Sequence, residues 1–132
     1  MNTMQQEFDD VVTHLFTQGR PAKDGRACLY RTPTGLSCAV GCRIPDEMYD
    51  LAMDHGSYNG DTGLTNLLAH FREKLPKEIY AYRGMFNDLQ EIHDFASVDG
   101  EGKFYLDNLA RRLAEVARKR GLTITLPEGV HV

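Results

Sequence analysis

The chain has 132 residues, 42% of them hydrophobic and 26% charged, and a net charge of −4 from 15 basic and 19 acidic side chains. One domain of this length buries roughly two thirds of the surface its unfolded chain exposes, so folding requires neither metal nor disulfide. The charge balance argues against nonspecific nucleic-acid binding, which rests on phosphate neutralisation by Lys and Arg, and no apolar stretch nears the ~18 residues of a membrane span.

The opening stretch MNTMQQEFDDVV is acidic and has no contiguous apolar run, unlike a signal peptide. Met4, Phe8, Val11, Val12, Leu15 and Phe16 fall on one helical stripe, with Thr3 and Gln6 spaced as a capping box and Gly19 as the stop. After the turn-rich RPAKDG, Ala27 to Arg31 reads as a short strand, Thr32-Pro33-Thr34-Gly35 as a type I turn, and Leu36 to Cys38 as the return strand. Ile44-Pro45-Asp46-Glu47 looks like a helix start, proline and two acids suiting the first turn, with the helix reaching about Met53. HGSYNGDTG is a loop, and helices are predicted through Leu64–Leu75, Met85–Ala96 and Leu106–Gly121. LTITLP reads as a short terminal strand. The expected fold is α+β: a mostly helical single domain over residues 1–132, with about five helices, a small β-hairpin and a C-terminal strand.

Cys28, Cys38 and Cys42 are an odd number, which fits reduced thiols in a cytosol. Structural zinc wants four ligands, usually with close Cys pairs, and these spacings supply neither. Cysteine buries like a small hydrophobe, and Ala39 and Gly41 would let another backbone approach. Cys28, Gly35, Cys38, Gly41, Cys42 and Pro45 are therefore read as structural. A nucleophilic Cys38 or Cys42 would need a base and an orienter, which His93-Asp94 can supply only if the fold brings them together.

Three further patterns have ordinary readings beside functional ones. GDTG carries the Asp-Thr-Gly of aspartic proteases without their β-rich context, and reads as a turn leading to a helix cap. His70 and the His93-Asp94 doublet follow the order of helical metal phosphohydrolases, in which such side chains hold a water-activating metal. His93, however, lies on the apolar stripe of Leu89 and Ile92, where a hydrogen-bonded core histidine is the common outcome. Arg111 and Arg118 belong to a basic stripe near a helix end, which suits the helix dipole as well as an anionic partner. Between Ile44 and His70 there are five acids and no Lys or Arg. Tyr49, Tyr58 and Tyr82, with Arg31 and Arg83, are stacking and cationic groups able to hold a ligand or partner.

CLYR, Gly35 and CAVGCRIPDEMYD together resemble a segment of small proteins encoded by tailed bacteriophages and prophages, and DLQEIHDF resembles the second recurring patch of that group. The two patches span about a quarter of the chain. The resemblance implies an accessory protein of the bacterial cytoplasm that acts by binding a host protein or a small charged ligand, in the service of counteracting host defence. It implies no catalytic residue. No cofactor is expected, and a homo-oligomer is compatible with the charge distribution.

Overall fold

A computed structural model describes residues 1–24, 27–55, 63–96 and 102–130. Among them are six α-helices: α1 (Met4–Gln18), α2 (Ala52–His55), α3 (Leu64–Phe71), α4 (Lys77–Ala81), α5 (Arg83–Ala96) and α6 (Gly102–Arg120). Two 3₁₀ turns, Gly41–Arg43 and Arg72–Lys74, join them. No helix among the described residues is long and apolar enough to cross a membrane.

α1 begins where Thr3 Oγ1 accepts the Gln6 N–H at 3.1 Å and the Gln6 side chain takes the Thr3 N–H at 2.8 Å. It stops at Gly19, whose φ of 72° closes the last turn onto the Leu15 carbonyl. Its inner face buries Phe8, Val11, Val12 and Leu15. α5 and α6 run antiparallel, with Asp88 of α5 meeting Arg120 at the end of α6 at 2.7 Å. Met85, Phe86 and Leu89 from α5 and Tyr105, Leu109 and Leu113 from α6 complete the core with Met53, Leu67 and Ile79. Each such side chain stabilises the fold by roughly 1.5–3 kcal/mol on leaving water.

The α+β expectation is overturned: the chain is a helical domain. What strand pairing exists is two residues a side, Lys23–Asp24 against Ala27–Cys28, with one isolated bridge between Arg31 and Ser37. The predicted hairpin of Ala27–Arg31 with Leu36–Cys38 does not form as a ladder: two backbone bonds cross it, Thr32 N–H to the Leu36 carbonyl at 2.9 Å and Cys38 N–H to the Tyr30 carbonyl at 3.2 Å, and side chains take neighbouring groups that would extend it. Asp54 accepts the Tyr30 and Arg31 N–H groups at 2.8 and 3.1 Å. Gln18 accepts the Ser37 N–H at 2.9 Å, and His14 and Gln18 both donate to the Ser37 carbonyl. With the Tyr30 N–H on Asp54 and the Cys38 carbonyl accepting the Cys42 N–H at 2.9 Å, the pairing has no next rung.

The predicted C-terminal strand fails for the same reason. Thr123 gives its N–H to the Gln5 side-chain carbonyl and its own carbonyl to the Gln5 amide, both at 2.9 Å. One glutamine on α1 thereby stands in for a partner strand. The helix expected from Ile44 to Met53 is also interrupted. Residues 45–49 make a turn on the Pro45 carbonyl, and helix resumes only at Ala52, whose N–H Asp50 caps at 2.9 Å. α4, between Pro76 and Tyr82, is a helix the sequence reading lacked.

Candidate functional site

The cysteine-rich segment is held against α1 and α5. Arg43 on the 3₁₀ turn makes a two-point contact with Glu7, at 3.1 and 2.8 Å, and Glu7 is 2% exposed. Next to it Gly41 meets the Tyr30 backbone so closely that a Cβ would lie 1.9 Å from the Tyr30 carbonyl oxygen. Cys38 is fully buried, its sulfur accepting the Gly41 N–H at 3.3 Å. The Cys42 thiol donates to the Ala39 carbonyl at 3.2 Å. Burial drives the Cys38 thiol well above the usual thiol range and pushes Cys42 up to about 12, the Arg43 charge offsetting only part of the effect. Neither ionises readily at neutral pH, so neither has the thiolate character of a nucleophile.

Cys28 has a different environment. It is half-buried, and its sulfur, a ring nitrogen of His93 and a carboxylate oxygen of Asp94 all lie within 4.8 Å of one another. α5 supplies His93 pointing inward, 0% exposed, and Asp94 at the surface, its side chain 45% exposed. The Ala22 N–H reaches His93 Nε2 at 3.0 Å. An amide can only donate, so Nε2 carries the lone pair and the ring proton sits on Nδ1, directed at Asp94 Oδ1, 3.0 Å away. Gln90 joins the same carboxylate at 3.2 Å and accepts the Val40 N–H at 3.3 Å. The two sequence patches therefore converge here, Cys28 and Val40 from one and Gln90, His93 and Asp94 from the other. Nearby, the buried Tyr105 hydroxyl has no hydrogen-bond partner among the described residues, and burial with the negative potential of a Cys28 thiolate raises its pKa above the ordinary tyrosine range.

Beside the cysteine segment lies a cleft of about 650 Å³, lined by Gly41 and Cys42 together with His14, Arg31, Thr32, Ser37, Asp46 and Glu47. The turn that forms one wall is locked by Thr32, which bonds the Leu36 and Gly35 N–H groups, and by Gly35 at φ 92°. Arg31 bonds Asp46 at 2.6 Å and the Ile44 carbonyl, and its guanidinium lies 4.9 Å from the Tyr49 ring centre. His14 Nε2 lies 2.8 Å from the Ser37 carbonyl, so a neutral ring keeps Nδ1 as its acceptor.

Of the other residues singled out, Tyr49 donates to Asp54 at 2.6 Å and supports the Tyr30–Arg31 backbone from below. Burial and that carboxylate push its ionisation up. Tyr82 ties down the N-terminus through the Asn2 carbonyl at 2.7 Å. Arg83 stacks on Tyr80, with Arg72 stacked on the same ring. Arg111 bonds Asn108, and Arg118 is exposed beside a shallow groove between α5 and α6. The Pro45 carbonyl accepts from Met48 and Tyr49. Tyr58 lies outside the described residues. His70 is exposed on α3 and takes no part in the His93–Asp94 cluster, so the three-residue phosphohydrolase set is not assembled.

The apparent separation of charge is also largely internal. Asp46 pairs with Arg31, Asp50 with Lys74, Asp54 is buried, and Lys119 and Arg120 share Asp88. Sequence reasoning missed Glu7, Asp54 and Gln90. Glu7 did carry a signal: an acid one step from Phe8 on the apolar stripe of α1 needs a buried cation. No family model matches the chain, and no match was found among curated proteins or solved structures.

Proposed function

We propose that the protein acts by binding, as a phage-type accessory protein in the cytoplasm of a bacterial host, and that it captures a small cation-bearing molecule in the Arg31 cleft. The observation that carries this reading is the cleft and its charge. Its volume of about 650 Å³ falls within the range of about 300–1,000 Å³ for small-molecule sites. Arg31 is already neutralised by Asp46, which leaves Glu47 as an exposed carboxylate without a partner among the described residues. His14, Thr32 and Ser37 add hydrogen-bonding groups that can orient an amine or guanidinium. Concavity favours a small ligand over a host protein, which would seek about 800 Å² of docking surface. The phage-type sequence patches supply the setting, in which withdrawing a host molecule is a means of blunting defence.

Thermal denaturation of the purified protein against a panel of small amines, guanidinium compounds, nucleotides and carboxylates tests this. A ligand bound at 100 times its Kd stabilises by about 2.7 kcal/mol. Stabilisation by cationic compounds, abolished by Glu47→Gln, is expected. Stabilisation by anions alone, or by nothing in the panel, rejects the reading.

A further inference from the structure

We infer that Cys28, His93 and Asp94 form a binding site for a single thiophilic divalent cation, zinc in the first instance. The site is separate from the Arg31 cleft and does not depend on what that cleft binds. Sulfur comes from the short strand Ala27–Cys28, and nitrogen and oxygen come from consecutive positions of α5. These atoms lie within 4.8 Å of one another. Tetrahedral bonds of roughly 2.0–2.3 Å set S, N and O about 3.5 Å apart, so the Cys28 and Asp94 side chains close in by up to about 1 Å on loading. The donor set selects the ion. A thiolate and an imidazole beside one carboxylate suit zinc, whereas magnesium and calcium demand oxygen throughout. Three protein ligands leave a fourth position open.

The surroundings fit the same role. Asp94, 45% exposed, gives the ion a way in, while His93 is fixed in the core. Gln90 holds the Asp94 oxygen from the side and is itself anchored by the Val40 N–H, an outer contact of the sort that orients metal ligands. Tyr105 presents a buried hydroxyl without a hydrogen-bond acceptor, a donor suited to a neighbouring thiolate or to a water on the ion.

Loading has a definite proton balance. The Cys28 thiol loses one proton to solvent as its sulfur takes the ion. His93 stays neutral: its proton moves from Nδ1 to Nε2, and Nδ1 turns its lone pair to the ion. The Ala22 N–H then faces another N–H and gives up its hydrogen bond. Loading thus gives up two hydrogen bonds, Ala22 N–H to Nε2 and Nδ1–H to Asp94, and both losses are set against the affinity of zinc for a thiolate-containing site. Two negative ligands leave the zinc centre neutral overall.

The test uses full-length protein stripped of metal by a chelator and titrated with Co²⁺, then with Zn²⁺ against a chromophoric competitor. One equivalent should bind, with thiolate-to-cobalt charge-transfer absorption in the near ultraviolet and release of one proton per ion. The Ala22 amide should lose protection from hydrogen exchange on loading. Cys28→Ala should abolish the absorption, and Asp94→Asn, a same-size change at a half-exposed position, should weaken zinc binding by more than the roughly 10–100-fold that an outer contact costs. His70→Ala should change nothing. Absence of the charge-transfer band, or zinc affinity unaltered by both Cys28→Ala and Asp94→Asn, overturns the proposal.

Discussion

Gly41→Ala offers the sharpest test of how the cysteine segment is packed. The new methyl would lie 1.9 Å from the Tyr30 oxygen, 2.7 Å from its carbonyl carbon and 3.0 Å from its Cα. All three are backbone atoms, so no side chain can swing aside. The Tyr30 carbonyl also accepts the Cys38 N–H at 3.2 Å, and the Tyr30 N–H is held by Asp54 at 2.8 Å. Restoring ordinary contact therefore separates the two backbones and leaves the buried Cys38 amide unpaired. Overpacking typically costs about 1–3 kcal/mol and an orphaned buried amide a similar amount, so a loss of about 3–5 kcal/mol is expected. In a domain of this size that corresponds to a fall in Tm of roughly 10–20 °C. Gly35→Ala is the control, because nothing lies within 4 Å of its Cβ position and only the φ of 92° is unfavourable, at about 1–2 kcal/mol. Urea unfolding of both variants, followed by circular dichroism, gives the comparison. Equal losses for the two glycines would mean that Gly41 does not nest against Tyr30 and that the packing account is wrong.

The thiols give two further outcomes. At pH 8 a thiol with a pKa of about 12 is ionised in roughly one molecule in ten thousand, so Cys38 and Cys42 should be alkylated at an appreciable rate only in denaturant, as read by intact mass. Because folding raises the pKa of both inner thiols, their contribution to stability is complete below the unfolded thiol value of about 8.5 and is lost as pH rises toward the folded values. Unfolding free energies from urea titrations should accordingly fall above pH 8.5, by about 1.4 kcal/mol per pH unit for each thiol, and Cys42→Ala should make the decline shallower; a flat profile to pH 10.5 contradicts the assignment. Glu7→Ala should destabilise by about 3 kcal/mol, the lower end for breaking a buried pair because Arg43 keeps 24% of its side chain exposed, and Arg43→Ala should cost about as much by calorimetry.

The sequence carried the helices wherever their signals are local. The Thr3–Gln6 box and Gly19 bound α1 because each acts within four residues, and the apolar spacing of α3, α5 and α6 repeats often enough to show a buried face. Gly121 likewise ends α6, with Leu122 bonding back to the Ala117 carbonyl. The run of small residues around Gly41 pointed to a close backbone approach, although not to Tyr30 as the surface it meets.

Tertiary structure decided the rest. Whether residues 27–38 and 122–127 become strands depends on who occupies their backbone hydrogen bonds, and Asp54, Gln18, His14 and Gln5 stand 19 to 118 positions away from their partners. Strand propensity describes a preference for a pleated surface and contains nothing about such competitors. The same holds for chemistry: three cysteines with nearly the same local surroundings are separated by the fold into two inert thiols and one that faces an imidazole and a carboxylate from α5. Side-chain types and local periodicity are written in the chain. Proximity across 65 residues, from Cys28 to His93, exists only once the helices have packed.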